Sequence, residues 1–259
     1  MQTTRLGILR WIGLGILLLA VESSSGCSQE HAQNNDQPAK LQPMPPISNT
    51  VTNVITGPVN YLALGDSTGA GVGAREGGYV ARLFRRIVAS RQESKITNLC
   101  VSGATTSDVI RDQLDRGVSV KPNLITLGIG INDIGHGVSL ERFSQNYDRI
   151  LSTLKSETSA TIVVTNIPEI SSAPRIPQAM RSEYQQLIVQ YNQKLQEIAS
   201  RHGVTVFDIY TITHEQLPGH PEYFSADGFH PSDQGYELWA ETMWPTIARV
   251  IGLEGSVGR

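Results

Sequence analysis

The chain has 259 residues, of which 39% are hydrophobic, enough to build the core of one domain with terminal extensions. A formal net charge of −3 at pH 7 gives no basic surface of the kind that binds nucleic acid, so no nucleic-acid partner is expected. The six histidines and two cysteines show no metal-ligand spacing. We therefore expect neither a metal nor a cofactor.

Residues 1–26 have the pattern of a secretory signal peptide. Two arginines precede an apolar stretch at 11–21, which is too short to span a membrane permanently. The segment ends in Ser-Ser-Gly before Cys27, which resembles the lipobox of bacterial lipoproteins, although Ser24 stands where Leu is usual. We expect an exported protein anchored in the cell envelope by a lipid on Cys27. The alternative is ordinary cleavage and a soluble secreted or periplasmic protein.

Residues 27–56 are predicted to be a flexible linker. They are rich in Gln, Asn, Ser and Pro and cannot bury enough apolar surface to offset the entropy of ordering. The linker would hold a folded domain, residues 57–253, away from a membrane surface. Residues 254–259 are predicted to be a tail. Cys100 lies in an apolar run of the folded part, which favours a buried thiol.

The folded part alternates two hydrophobic patterns. Runs typical of buried strands lie at 59–65, 96–100, 124–129, 161–166 and 204–209. Runs with helical spacing lie at 78–91, 107–114, 140–154, 178–202 and 234–250. Ser232 is predicted to cap the last helix, and Gly203 to end the helix before it. This alternation predicts an α/β fold whose parallel sheet is covered by helices on both faces.

Ser67 stands where the first strand stops, within Gly65-Asp66-Ser67-Thr68-Gly69. The carboxyl ends of parallel strands are where ligands bind in such sheets. Gly65 and Gly69 carry no side chain, so a substrate can approach the backbone N–H of Ser67 closely. Ser67 is therefore a candidate nucleophile.

Asp227 and His230 supply what a serine nucleophile needs. A serine hydroxyl requires a neighbouring base, and the base requires a group that orients it. Asp227 and His230 are three residues apart, with Gly228 between them, and this spacing predicts a turn in which the carboxylate holds the imidazole. Pro231 stops a helix from running through the histidine and starts the final helix just after it.

Two further residues are candidate donors for an oxyanion. Gly103 follows the second strand and can present an unshielded backbone N–H, and Asn132 follows the third strand and can donate from its side chain. With the N–H of Ser67, they would supply three donors from three strand ends.

These four blocks, in this order, resemble those of the SGNH hydrolases, the GDSL esterase and lipase superfamily. The resemblance covers about residues 61–232, with Thr68 standing where the first block usually has Leu. It implies a flavodoxin-like three-layer α/β/α sandwich with a five-stranded parallel sheet, and a small ester or lipid-like substrate. It also implies roles at the matching positions: nucleophile Ser67, base and acid His230, orienting acid Asp227, and an oxyanion hole of Ser67, Gly103 and Asn132.

Two rival motifs overlap the same stretch. Gly65-x-Ser67-x-Gly69 matches the nucleophile elbow of α/β-hydrolases, a fold in which several strands precede the serine. Gly69-x-Gly71-x-x-Ala74 matches a dinucleotide-binding fingerprint, which alone is a weak signal. Neither motif explains the other blocks.

The substrate is predicted only in outline. Loops 168–180 and 210–226 are expected to shape the acyl site, with Ile170, Ile176 and Met180 lining one apolar slot for short to medium acyl chains. The resemblance leaves simple esters, lysophospholipids and acetylated sugars open, because related SGNH enzymes act on each, and thioesters are a further candidate. An acyltransferase and a non-catalytic cell-surface binding module are the alternatives to a hydrolase.

Overall fold

The computed structural model describes residues 54–253. The predicted signal peptide, Cys27, all but the end of the predicted linker, and the C-terminal tail lie outside the described residues. Between residues 54 and 253, no helix is both long and apolar enough to cross a membrane.

Five parallel strands form one sheet in the order β2-β1-β3-β4-β5. They are β1 Asn60–Gly65, β2 Lys95–Asn98, β3 Leu124–Gly128, β4 Thr161–Thr165 and β5 Thr205–Phe207. Each begins and ends within two residues of its predicted bounds. The prediction of a five-stranded parallel sheet is confirmed.

The helices of the described residues lie between and after these strands. They are α1 Ser67–Ala70, α2 Tyr79–Ser90, α3 Thr106–Asp108, α4 Leu114–Ser119, α5 Ile131–Gly135, α6 Leu140–Glu157, α7 Arg181–Arg201, α8 Ile209–Gln216 and α9 Asp233–Val250. Short 3₁₀ turns precede α7 and α9 at Gln178–Met180 and Pro221–Tyr223, and a π turn at Val109–Gln113 joins α3 to α4.

Two local predictions differ from the structure. Helix α8 lies in a segment that was predicted to be the end of a strand and a loop. The β-branched residues of this segment favour a strand, but Asp208 caps them as the start of a helix and Ile209 is buried. The helix predicted at 107–114 extends to Ser119 and contains the π turn. Gly203 ends α7 as predicted: it follows the C-cap His202 with φ +62°, and its N–H donates to Ser200 O at 3.1 Å. The predicted cap Ser232 is confirmed at α9.

The sheet has a hydrophobic core on each face. Leu62, Ile125 and Val164 face one core, which α4, α6 and α7 cover. The alternate strand residues Tyr61 and Val163 face a second core, which α2 and α9 cover. The helices on both faces confirm the three-layer sandwich.

The strand order determines where a site can form. From β1 the chain crosses to β2 at one edge and then returns past β1 to β3, so the loops that follow β1 and β3 diverge. A crevice at the carboxyl end of the sheet results, at the point where flavodoxin-like sheets bind ligands. Ser67 follows β1 and Asn132 follows β3.

Candidate active site

Ser67 is held on a tight turn at the end of β1. Asp66 caps α1 and accepts hydrogen bonds from Thr68 N at 2.9 Å and Thr68 Oγ1 at 2.8 Å. Gly65 has φ +145°, and a Cβ there would lie 2.1 Å from the carbonyl oxygen of Gly128. Only glycine fits this turn, which leaves Ser67 at the first position of α1, where its N–H has no acceptor within the helix.

Asp227 and His230 lie on a closed turn before α9. Ser225 N donates to the carbonyl of His230 at 2.8 Å, and Gly228 N donates to the carbonyl of Ser225 at 2.9 Å. Gly228 has φ +67°, which glycine adopts without strain. The turn therefore presents the imidazole from a rigid backbone.

A charged network anchors the start of α9. Arg82 of α2 is almost fully buried and donates to Asp233 at 2.7 Å and to Glu237 at 2.5 Å. Asp233 also accepts the backbone N–H groups of Arg75 and Glu76, at 3.1 and 3.0 Å. These contacts tie the loop after α1 to the start of α9, next to the turn at residues 225–230 that carries His230, which we call the histidine turn.

Ser67, His230 and Asp227 form a continuous hydrogen-bonded chain. His230 Nε2 lies 2.9 Å from Ser67 Oγ, and His230 Nδ1 lies 2.6 Å from Asp227 Oδ2. Asp227 Oδ1 also accepts from the backbone N–H groups of Phe229 and His230, both at 2.9 Å, and from Ser225 Oγ at 2.8 Å. This is the arrangement of a nucleophile, a base and an orienting acid.

The electrostatics keep Asp227 ionised. Burial disfavours its charge, but the hydrogen bonds from His230, Phe229 and Ser225 outweigh that effect and hold the pKa of Asp227 well below its usual value. An ionised Asp227 can accept the Nδ1–H of His230, which leaves Nε2 free to take a proton from Ser67 when the imidazole is neutral.

Asp66, the neighbour of Ser67, has the opposite electrostatics. Burial raises the pKa of Asp66 to about 6, although Thr68 donates two hydrogen bonds to it. Its side chain braces the turn through the two hydrogen bonds from Thr68.

Gly103 and Asn132 line the same cleft as Ser67 and His230. Gly103 is exposed and has φ +79°, and no hydrogen bond of its N–H occurs within the described part of the chain. Asn132 donates one side-chain N–H to the carbonyl of Ala104 at 2.9 Å, which orients the amide and leaves its second N–H available. The structure thus brings all three predicted oxyanion donors to one cleft.

Two cavities meet at Ser67, Phe229 and His230, which line both of them. The first is narrow, with a volume of about 50 Å³. Apolar side chains form most of its walls, among them Ile131, Pro168, Ile170, Leu217, Phe224 and Trp239. The second is an open cleft of about 380 Å³ with polar as well as apolar walls.

The predicted acyl slot is therefore divided. Ile170 lines the narrow cavity, whereas Ile176 and Met180 line the open cleft, so the prediction that the three share one slot was wrong. The reason is that Phe229 and His230 stand between the two spaces, with their rings 5.3 Å apart and nearly perpendicular.

One supporting residue was missed by the sequence analysis. Gln113, on the π turn, is buried and bonds both backbone groups of Gly65, accepting from its N–H at 2.9 Å and donating to its carbonyl at 2.8 Å. These two bonds satisfy the backbone N–H and carbonyl groups at the end of β1, two residues before Ser67. No local signal marks this role, because the two residues are 48 positions apart.

Within residues 54–253, no three His, Cys, Asp or Glu side chains are grouped so as to hold a metal ion. Cys100 is a free thiol beside Gly69, and burial raises its pKa well above the usual range. A thiol in this state is a poor nucleophile.

Comparison with known families agrees with this geometry. A model of the GDSL-like lipase/acylhydrolase family matches residues 63–238, a range that contains all five residues predicted for the active site. The chain belongs to the GDSL-like lipase/acylhydrolase family. The resemblance to the SGNH and GDSL hydrolases is thereby confirmed, and this member is a carboxylic ester hydrolase.

Individual relatives of this GDSL-like hydrolase are distant. It is 24% identical over 191 residues to esterase TesA of Pseudomonas aeruginosa, an alignment that covers 73% of this chain and 88% of the esterase. It is 28% identical over 209 residues to the spore germination lipase LipC of Bacillus licheniformis, covering 71% and 94% of the two chains.

Solved structures share its fold. The crystal structure of a catalytic mutant of an acetylxylan esterase from Geobacillus stearothermophilus superposes with a TM-score of 0.64 at 21% sequence identity. The superposition covers 79% of this chain and 99% of that one.

Proposed function

We propose that this hydrolase cleaves carboxylic esters of short acyl groups through an acyl-enzyme on Ser67. His230 takes the proton of Ser67 Oγ through Nε2 as the oxygen attacks the acyl carbonyl. His230 then gives that proton to the leaving alcohol, and Ser67 remains acylated. Water then attacks the acyl carbon as His230 takes one of its protons. The bond between the acyl carbon and Ser67 Oγ breaks, His230 gives the proton to Ser67 Oγ, and the acid leaves.

The supporting groups have separate tasks. Asp227 holds the Nδ1–H tautomer of His230 and stabilises the imidazolium that forms in each step. The N–H groups of Ser67, Gly103 and Asn132 bind the oxyanion of the tetrahedral intermediate. Removing one such donor typically lowers turnover by about 10²–10³.

One observation carries this proposal: the chain of hydrogen bonds at 2.9 and 2.6 Å from Ser67 through His230 to Asp227. The serine and the histidine are 163 residues apart, so no local structural need brings them together. A binding module would have no use for a base aligned on a serine, which disfavours the non-catalytic alternative.

The two cavities support a division of the substrate. The narrow cavity is apolar and has room for only a few non-hydrogen atoms, so it suits a short acyl chain. The open cleft lies within the size range of ligand sites and suits the alcohol part. The acetylxylan esterase with the same fold is named for an acetyl ester, which agrees with a short acyl group.

The test is hydrolysis of p-nitrophenyl esters from acetyl to palmitoyl by the full chain in non-ionic detergent. Wild type should turn over the short esters, and Ser67→Ala should lose about 10³-fold or more in kcat. Ser156→Ala, which removes an exposed hydroxyl on α6, is the matched control. A fluorophosphonate should label wild type and not Ser67→Ala. Equal activity of Ser67→Ala and wild type would overturn the proposal.

We also propose export and lipid attachment at Cys27, supported by the sequence pattern of residues 1–27. Expression in a bacterial host with labelled palmitate should mark the wild-type chain and leave Cys27→Ser unlabelled. Labelling of neither chain, with wild type released as a soluble protein, would favour ordinary cleavage instead.

A further inference from the structure

Arg175 is the charged side chain of the open cleft. Ser102, Tyr184 and Arg175 supply polar groups to its walls, together with the donors already described. None of the described residues that line the cleft is acidic. With His230 neutral, the cleft therefore carries one full charge, and that charge is positive.

The Arg175 guanidinium is free to bind a ligand. Some arginines of the described chain have carboxylate partners, among them Arg82, Arg111 and Arg201. Arg175 forms no ion pair and no side-chain hydrogen bond with any described residue. Arg175 is exposed and lines the cleft, and its guanidinium has five N–H donors.

The backbone of Arg175 is attached to the turn that carries Asp227 and His230. Arg175 N donates to the carbonyl of Gly228 at 2.9 Å. On either side of Arg175, Ala173 and Ile176 are buried, with 0% and 6% exposure, and Ile176 N donates to Ala173 O at 2.9 Å. The guanidinium thus extends from a segment that is hydrogen-bonded to the histidine turn.

An anionic substrate group could occupy only one of the two cavities. The narrow cavity is lined mainly by apolar side chains, so burying a charged group there would be far less favourable in free energy than burying a short acyl chain. An anion must therefore belong to the alcohol part, in the open cleft with Arg175.

We propose that Arg175 is a specificity-determining residue that binds an oxyanion, phosphate or carboxylate, on the alcohol part of the ester. A guanidinium binds both groups through paired hydrogen bonds, which a neutral alcohol cannot form. This inference rests on the proposed function, because it assumes that the ester is cleaved at Ser67.

The experiment compares three butyryl esters that differ only in the alcohol: glycerol, glycerol 3-phosphate and glyceric acid. Wild type should prefer at least one anionic ester to the neutral one in kcat/KM. Arg175→Gln should reduce that preference about 10- to 100-fold, and Arg175→Lys should retain part of it. The phosphate and carboxylate arms show which oxyanion is recognised.

The control is Arg149→Gln, the same charge change at an exposed position of α6 outside both cavities; it should keep the wild-type preference. Raising the ionic strength should lower wild-type kcat/KM on the anionic ester more than on the neutral ester. If wild type shows no preference for an anionic ester, or if Arg175→Gln keeps that preference unchanged, the inference about Arg175 is overturned. The proposed function still stands in that case, provided that cleavage of the neutral ester depends on Ser67. Cleavage of none of the three esters, or equal cleavage by Ser67→Ala, would overturn both.

Discussion

Asp133 accepts hydrogen bonds from both the backbone N–H and the hydroxyl of Thr106, at 3.0 and 2.5 Å. Both residues are fully buried, and burial raises the pKa of Asp133. Thr106 lies three residues after Gly103, and Asp133 directly follows Asn132. This contact therefore sets the relative position of two of the proposed oxyanion donors.

Asp133→Asn should weaken the oxyanion hole without touching the substrate. An amide presents only one acceptor to two buried donors, which should cost about 1–3 kcal/mol of unfolding free energy. Displaced donors should lower kcat about 10- to 100-fold with a smaller change in KM. Kinetics and denaturant unfolding measure both effects. The exposed Asp112→Asn is the control, and an unchanged kcat in Asp133→Asn would refute the positioning role.

Asp66 should make stability fall as pH rises. Its folded-state pKa of about 6 lies above the unfolded value of about 3.9, so between these values the folded state binds more protons. The stability that Asp66 contributes is complete below pH 4 and is lost as pH rises through 6.

Asp66→Asn keeps a good helix cap but removes this titration. Its unfolding free energy, relative to wild type, should therefore rise between pH 4 and pH 7 by up to about 3 kcal/mol. Denaturant titrations across this pH range measure the difference. A difference that does not vary with pH would contradict the prediction.

Gly73→Ala should displace the histidine turn. Gly73 has φ +95°, and a Cβ there would lie 2.7 Å from the carbonyl oxygen of Pro231 and 3.0 Å from His230 Cβ. A small shift of the imidazole should lower kcat about 100-fold and slow labelling by a fluorophosphonate. Gly137→Ala is the control for backbone strain alone, because Gly137 also has a positive φ, +66°, but no atom lies within 4 Å of the added Cβ. Comparable losses in both variants would argue against displacement of His230.

Leu217→Ala should lengthen the acyl chain that the enzyme accepts. Leu217 lines the narrow cavity and is nearly buried, so its truncation enlarges the apolar space. We expect kcat/KM for hexanoyl relative to acetyl esters to rise about tenfold, with a loss of roughly 2–4 kcal/mol in stability. Leu187→Ala, a partly buried leucine of α7 outside both cavities, should keep the wild-type profile. An unchanged chain-length profile in Leu217→Ala would place the acyl group elsewhere.

Local sequence patterns predicted the strands well and some helices poorly. Buried parallel strands are short apolar runs that end in glycine or polar residues, and all five were found this way. Helix α8 was missed because its Ile and Thr residues favour strand locally, and only the Asp208 cap and the packing of Ile209 make it helical.

The candidate site divides in the same manner. The sequence by itself determined that Ser67, Gly103 and Asn132 follow successive strands, and parallel strands bring their carboxyl ends to one edge. It also determined that Asp227 and His230 share a turn, because their separation is local.

Only the tertiary structure decided how far that turn lies from Ser67, how Phe229 and His230 divide the substrate space, and that Arg175 faces the cleft. Each of these depends on packing between segments far apart in the chain, such as Arg175 against Gly228 and Gly73 against Pro231. Periodicity and motif spacing describe neighbours along the chain, whereas close packing selects contacts across it.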